Sequence, residues 1–202
     1  MITDWVRAFD REVRVINESS GAGIMGAGFN ANVKNEFIWI RSFPDQESRE
    51  IIRSRIYDGD EWLNIQDKIR GMLDTRTEQL LYPVGLWSPG KQLFRSDNRE
   101  QLNEIRIYEI AEGRMEDWLT IFQEKIIKLH HENGVFVGGL FRTVEESNKF
   151  IWFRSFDDEE HRKIATQKIY QGKDWKNISE QVGILLKDYS NMRELNPLKW
   201  FK

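Results

Sequence analysis

The stretch Phe37-Ile38-Trp39-Ile40-Arg41-Ser42-Phe43 returns as Phe150-Ile151-Trp152-Phe153-Arg154-Ser155-Phe156, 113 residues later (154 − 41). The same offset carries Asp4-Trp5 onto Asp117-Trp118 and Ile56-Tyr57-Asp58-Gly59 onto Ile169-Tyr170-Gln171-Gly172. A gapless register of this kind, from Asp4 to about Leu73 against Asp117 to about Leu186, marks an internal repeat, so one small fold occurs twice in 202 residues. The boundaries that follow are a first repeat over 1–87, a linker over 88–100 and a second repeat over 101–202.

The second copy gives the element order. Leu102 to Ala111 alternates as a strand, with Ile105 and Ile107 on one side and Arg106 and Tyr108 on the other. Arg114 to Asn133 carries Trp118, Ile121, Phe122, Ile126 and Leu129 as an apolar helical stripe that Gly134 can cap. Val135 to Thr143 and Lys149 to Phe156 read as a hairpin around a polar turn. A helix follows, opened by Asp157 to Glu160 and carrying Ile164, Ala165, Lys168 and Ile169 inward, with Ile51, Ile52, Arg55 and Ile56 as the first-copy counterparts. A short helix over Trp175 to Leu186, or Trp62 to Met72, leads to a closing strand near Tyr189 to Leu195, or Arg76 to Tyr82.

Strand, helix, strand, strand, helix, strand is the split βαβ order. The predicted class is α+β: two tandem ferredoxin-like repeats that press their helix-free sheet faces together as an intrachain dimeric α/β barrel. One strand has no counterpart, because Leu102 to Ala111 maps to positions before residue 1. A strand from the linker Leu86 to Asp97, above all Gln92-Leu93-Phe94-Arg95, a neighbouring molecule, or a true start upstream of Met1 are the candidates to supply it. Otherwise Gly85 to Glu100, with Ser88-Pro89-Gly90 and Ser96-Asp97-Asn98, reads as a plain linker.

The doubled Phe-Ile-Trp string, followed by Arg49 and Tyr57-Asp58-Gly59-Asp60-Glu61-Trp62 in one copy and by Arg162 and Tyr170-Gln171-Gly172-Lys173-Asp174-Trp175 in the other, resembles the NIPSNAP family. Ile107-Tyr108-Glu109 before Gly113 resembles that family's opening strand. The first copy departs from the pattern by lacking that strand and by carrying Gly21 to Gly28 where bulkier strand residues stand in the second. The resemblance implies the dimeric α/β-barrel superfamily, whose members include cofactor-free monooxygenases, decarboxylases, isomerases and haem-linked enzymes. It supplies no catalytic residue, since fold alone does not select chemistry.

Composition removes several classes. Lys and Arg (30 residues) are interspersed with Asp and Glu (33), so no basic stripe for nucleic acid exists. The sequence has no cysteine, which excludes thiolate chemistry and suits the cytoplasm as the expected location. No apolar run of membrane-spanning length occurs. No cofactor and no metal is expected; a small-molecule ligand and self-association are the partners left open.

Arg41 and Arg154 share strand faces with Trp39 and Trp152. If Ile151 and Phe153 pack on the helices, the Trp and Arg side chains line a cavity on the other face, with Tyr108 as an aromatic wall. Two fixed guanidinium forks among aromatic rings suit the anionic group of an apolar ligand. The competing reading closes each Arg onto a strand carboxylate such as Glu78, Glu109 or Glu194, which holds the two halves together. Tyr57 and Tyr170 read as packing partners of Trp62 and Trp175. None of the histidines is duplicated: His130, His131 and His161 correspond to Asn17, Glu18 and Ser48, and His130-His131 reads as a solvated pair at a helix end. The function expected is binding of a small hydrophobic or anionic molecule, as a cofactor-independent enzyme; the alternative is a non-catalytic scaffold or protein-interaction module that uses the same duplicated fold.

Overall fold

A computed structural model gives the fold and describes residues 2–86, 91–95 and 101–197. The linker segments 87–90 and 96–100, with the turn signals at 88–90 and 96–98, lie outside the described residues. Two compact units are present: Met1–Ala27 with Trp39–Glu78, and Gly28–Ile38 with Gln79–Lys202.

The first unit opens with helix α1, built from Ile2–Ala8, a π-helical turn Phe9–Val13 and Arg14–Ser19. Strands β1 (Gly23–Asn30) and β2 (Phe37–Ser42) form the hairpin that register predicts for the glycine-rich segment. The hairpin base belongs to the first unit and its tip to the second. Helices α2 (Gln46–Tyr57) and α3 (Asp60–Arg70) complete the unit. Asp45 caps α2 by accepting from the Ser48 backbone N–H at 2.7 Å, satisfying one of the donors that every helix start leaves open. Ile16, Ala22, Ile52 and Ile56 form its buried core under the helices.

The second unit contains β3 (Leu81–Gly85), β4 (Leu102–Ile110), helix α4 (Met115–Ile121, a π-helical turn Phe122–Ile126 and Ile127–Glu132), β5 (Phe136–Thr143), β6 (Lys149–Phe156), α5 (Glu159–Gln171), α6 (Lys173–Leu185) and β7 (Leu186–Pro197). Its sheet runs β7-β4-β6-β5-β3, all antiparallel, and the tip of β1 adds to β7 through Gly28 to Asn30. The first four of these strands are in ferredoxin-like order, so the α+β class stands. The closing strand of the first repeat is Leu81–Gly85, later than Arg76 to Tyr82, and it pairs with β5. Gly134 ends α4 at φ 76°, the left-handed conformation that glycine adopts without a Cβ penalty.

The two faces of this sheet are both covered. Tyr108, Ile110, Phe150 and Trp152 pack with Trp118, Phe122 and Ile126 of α4 in one aromatic core. On the opposite face Phe94 meets Phe153 edge-on at 5.4 Å, and Leu93 is buried. Gln92-Leu93-Phe94-Arg95 therefore lies on the second repeat's own sheet and is not the strand that the first repeat lacks. Its fit depends on Gly138, where a Cβ would come within 1.8 Å of the Leu93 carbonyl oxygen.

Two sequence expectations are corrected here. The Trp152 and Arg154 face lies under the helices: Trp152 meets Phe122 at 5.0 Å and His130 at 5.1 Å. Trp39 likewise meets Phe9 of α1 at 5.1 Å. Alternation along β6 could not orient the strand because nearly every residue of it is buried, whichever way it points. Ile51 and Ile164 are exposed, while Ile52, Ile56, Ala165 and Ile169 are buried, so each helix turns one fewer apolar residue inward than the spacing suggested.

Candidate functional site

The repeat extends beyond the fold to a polar cluster under the helices. Arg154 Nη1 donates to the Tyr170 hydroxyl and to His130 Nε2, both at 3.2 Å. Arg41 Nη1 donates to the Tyr57 hydroxyl and to Asn17 Oδ1, both at 3.1 Å. Asn17 and His130 stand at the same repeat position, and each donates to a carbonyl of its helix's π-helical turn, Asn17 to Val13 and His130 to Ile126, both at 2.7 Å. A π-helical turn frees carbonyls from the regular ladder, and here one side chain satisfies the carbonyl while accepting from the guanidinium. The aromatic frame is doubled as well. Tyr57 meets Trp62 edge-on at 5.1 Å, Tyr170 meets Trp175 at 4.7 Å, and the guanidiniums lie 4.7 Å over Trp39 and 5.1 Å over Trp152.

His130 is thus wholly buried, which corrects the expectation of a solvated pair. Burial first, then the neighbouring Arg154 charge, lowers its pKa to about 3, so the ring is neutral with Nδ1 protonated and Nε2 free to accept. The offset of 113 already aligned it with Asn17, and the shared ability to donate at one atom and accept at another was the signal that could have found this pair.

The carboxylates separate the copies. In the second repeat Glu104 of β4 sits opposite Arg154 and takes Nε at 2.7 Å and Nη2 at 2.6 Å. Arg162 and Arg106 approach the same carboxylate at 3.5 Å and 3.9 Å, and Glu194 takes Arg162 at 2.6 Å. Glu104 is 2% exposed and Arg154 is 5% exposed, so this copy is sealed. Burial works against the Arg154 charge, but Tyr170 and Glu104 outweigh it and raise the pKa above the ordinary guanidinium value.

In the first repeat, among the described residues, the carboxylate that meets the guanidinium is Glu78. Glu78, on the segment after α3, takes Arg41 at 3.1 Å, Arg53 at 2.8 Å and Arg76 at 3.2 Å, and Arg49 lies 4.0 Å away. Burial raises its pKa, yet Arg53, Arg41 and Arg76 together hold the carboxyl below its usual range. Glu78 itself is 41% exposed. Beside it opens a cleft of about 580 Å³ lined by Arg53, Tyr57, Trp62, Arg70, Asp74 and Arg76 among others. Sequence reasoning missed this cleft, since Arg53 and Arg76 have Thr166 and Tyr189 as counterparts and carry no repeat signal.

Of the predicted site residues, the structure brings Trp39 and Arg41 together behind Tyr57, one wall of this cleft. Trp152, Arg154 and Tyr108 come together in the second unit, where Tyr108 is packed among Trp118, Phe150 and Trp152. The ion-pair alternative holds for both: Arg41 pairs with Glu78, and Arg154 pairs with Glu104, a strand carboxylate other than the three given as examples. Among the described residues, no cluster of His, Asp or Glu could hold a metal ion.

The family model described as NIPSNAP matches residues 103–199. The second half of the chain is similar to a NIPSNAP domain. Its sealed Arg154 cluster therefore lies within the matched span, and the open Arg41 cluster lies outside it. The fold is similar to that of a protein from Lactobacillus acidophilus NCFM described as a "putative monooxygenase", with TM-score 0.63 and 8% identity over 96% of this chain and 86% of that one. A "putative monooxygenase" from Fusobacterium nucleatum shares the fold at TM-score 0.56 and 13% identity, over 88% of this chain and 77% of that one. A NIPSNAP family protein from Agrobacterium tumefaciens matches with 21% identity and TM-score 0.46, over 50% of this chain and 95% of that one. No curated protein matches the chain. Among the described residues, no helix is long and apolar enough to cross a membrane.

Proposed function

We propose that the chain binds a small molecule carrying an anionic group on a flat apolar body, in the cleft of its first unit. The observation that carries this reading is the charge balance at Glu78, where Arg41, Arg53 and Arg76 meet one half-exposed carboxylate at the edge of the cleft. Arg53 and Arg76 present donors to the anion, Tyr57 and Trp62 present ring surface to the body, and Arg41 fixes Tyr57 from behind. Arg41 and Trp39 act as positioning residues. Tyr108, Trp152 and Arg154 belong to the sealed copy, and its closed ion pair favours the scaffold reading for that half. The cysteine-free composition suits the cytoplasm, the compartment we propose.

Titration calorimetry with phenylacetate, an aromatic carboxylate of suitable size, tests the reading. Saturable binding that weakens about tenfold or more in Arg53→Ala or Arg76→Ala, the cost of losing a charge-assisted hydrogen bond, is expected. Binding that is unchanged in both variants would reject the cleft.

A further inference from the structure

We infer that the outer edge of β2, over Trp39–Ser42, accepts an extended acidic segment of a partner polypeptide as an added antiparallel strand. The second repeat shows what fits. There β4 covers the equivalent edge of β6 in continuous register, with Asn103 opposite Ser155, Glu104 opposite Arg154, Ile105 opposite Phe153 and Arg106 opposite Trp152. Asn103 takes the Ser155 hydroxyl at 2.7 Å, and Glu104 closes on Arg154. Under that cover Trp152, Phe153, Arg154 and Ser155 are buried, whereas Trp39, Ile40, Arg41 and Ser42 are all only partly buried. Among the described residues β1 is the one strand beside β2.

The charge at this edge selects the occupant. Arg154 gives Nε and Nη2 to Glu104, but Arg41 gives Nη2 to Glu78, and its Nε makes no hydrogen bond to any described residue. Glu78 meanwhile serves Arg53 and Arg76 as well. A strand bearing a carboxylate opposite Arg41 and a small polar residue opposite Ser42 reproduces the second repeat's lock. Main-chain hydrogen bonds then give affinity, and the carboxylate gives register and specificity. Arg41 does not line the cleft, and the two sites share Glu78.

The β4 sequence itself, Leu102 to Ile110 made as a synthetic peptide with a fluorescent label, is the probe. Titrated into the full chain, it is expected to bind saturably, to slow amide exchange at Trp39–Ser42, and to weaken about tenfold when its glutamate at the Glu104 position is replaced by glutamine. Arg70→Ala, at a cleft-lining residue that pairs with Asp67 and not with Glu78, is expected to leave peptide binding unchanged, so the two proposals fail separately. Absence of saturable binding, equal binding of the glutamine peptide, or protection that falls elsewhere would overturn the inference. So would protection, without peptide, of those Trp39–Ser42 amides that point away from β1, the result if a second copy or another part of the chain covers the edge.

Discussion

Arg41 and Arg154 use the same nitrogen, Nη1, to hold equivalent partners at 3.1 Å and 3.2 Å, yet one guanidinium is closed by a buried carboxylate and the other by a half-exposed one. Duplication preserved the cluster's inner side and let its outer side diverge. The consequences for stability follow from the difference in burial.

Glu104→Gln leaves the Arg154 charge buried without its counterion, and removing one partner of a buried pair costs about 3–5 kcal/mol. Glu78→Gln removes a carboxylate that is 41% exposed, beside an Arg41 that is 8% exposed, so solvent screens part of the loss and the cost is expected to be smaller than at Glu104. Urea unfolding of both variants at neutral pH is expected to rank them in that order.

His130 gives the fold a pH dependence on the acid side. Its pKa in the folded protein is about 3, below the ordinary 6.5, so between those values the unfolded chain takes up a proton that the folded one refuses. Stability is complete above about pH 6.5 and falls toward pH 3 with a slope approaching 1.4 kcal/mol per pH unit from this residue. The groups acting on the ring are Arg154, His131 and Arg106. His130→Asn installs the residue found at position 17, which can donate to the Ile126 carbonyl and accept from Arg154. That variant is expected to fold and to lose this part of the acid-side slope, as measured by unfolding at a series of pH values. His130→Ala, which satisfies neither group, is expected to be destabilised at every pH.

Two glycines separate close packing from helix propensity. Gly138→Ala drives a methyl into the Leu93 carbonyl, a backbone atom that cannot turn aside, and overpacking of this kind costs about 1–3 kcal/mol. Gly183, inside α6, has nothing within 4 Å of the added methyl, and Gly183→Ala is expected to stabilise by about 0.5–1 kcal/mol. Thermal unfolding that shifts both variants in the same direction would contradict the packing of the 91–95 segment on β5.

Much of this architecture was legible because duplicated residues had to serve one fold twice. The β2 and β6 strings, the helix after each and the Asn17–His130 equivalence all lie at one offset in the chain. What alternation could not supply was direction. On β6, Phe153 is as apolar and as buried as Trp152, because Leu93 and Phe94 cover the side that the helices leave, and the period of two carries no sign. Glu104 was overlooked as the partner of Arg154 although it shares a face with Arg106 and Tyr108. The cleft escaped notice for the opposite reason: Arg53, Arg76 and Glu78 belong to one copy only, and non-local ion pairs leave no periodic trace.

Nitrogen NMR of the arginine Nε–H groups during a phenylacetate titration reads the central claim directly, since it observes both copies of the cluster in one experiment. The account predicts that Arg53 and Arg76 shift and saturate while Arg154, sealed against Glu104, keeps a slowly exchanging and unmoved resonance. An Arg154 signal that shifts with added phenylacetate while Arg53 and Arg76 stay still would contradict it.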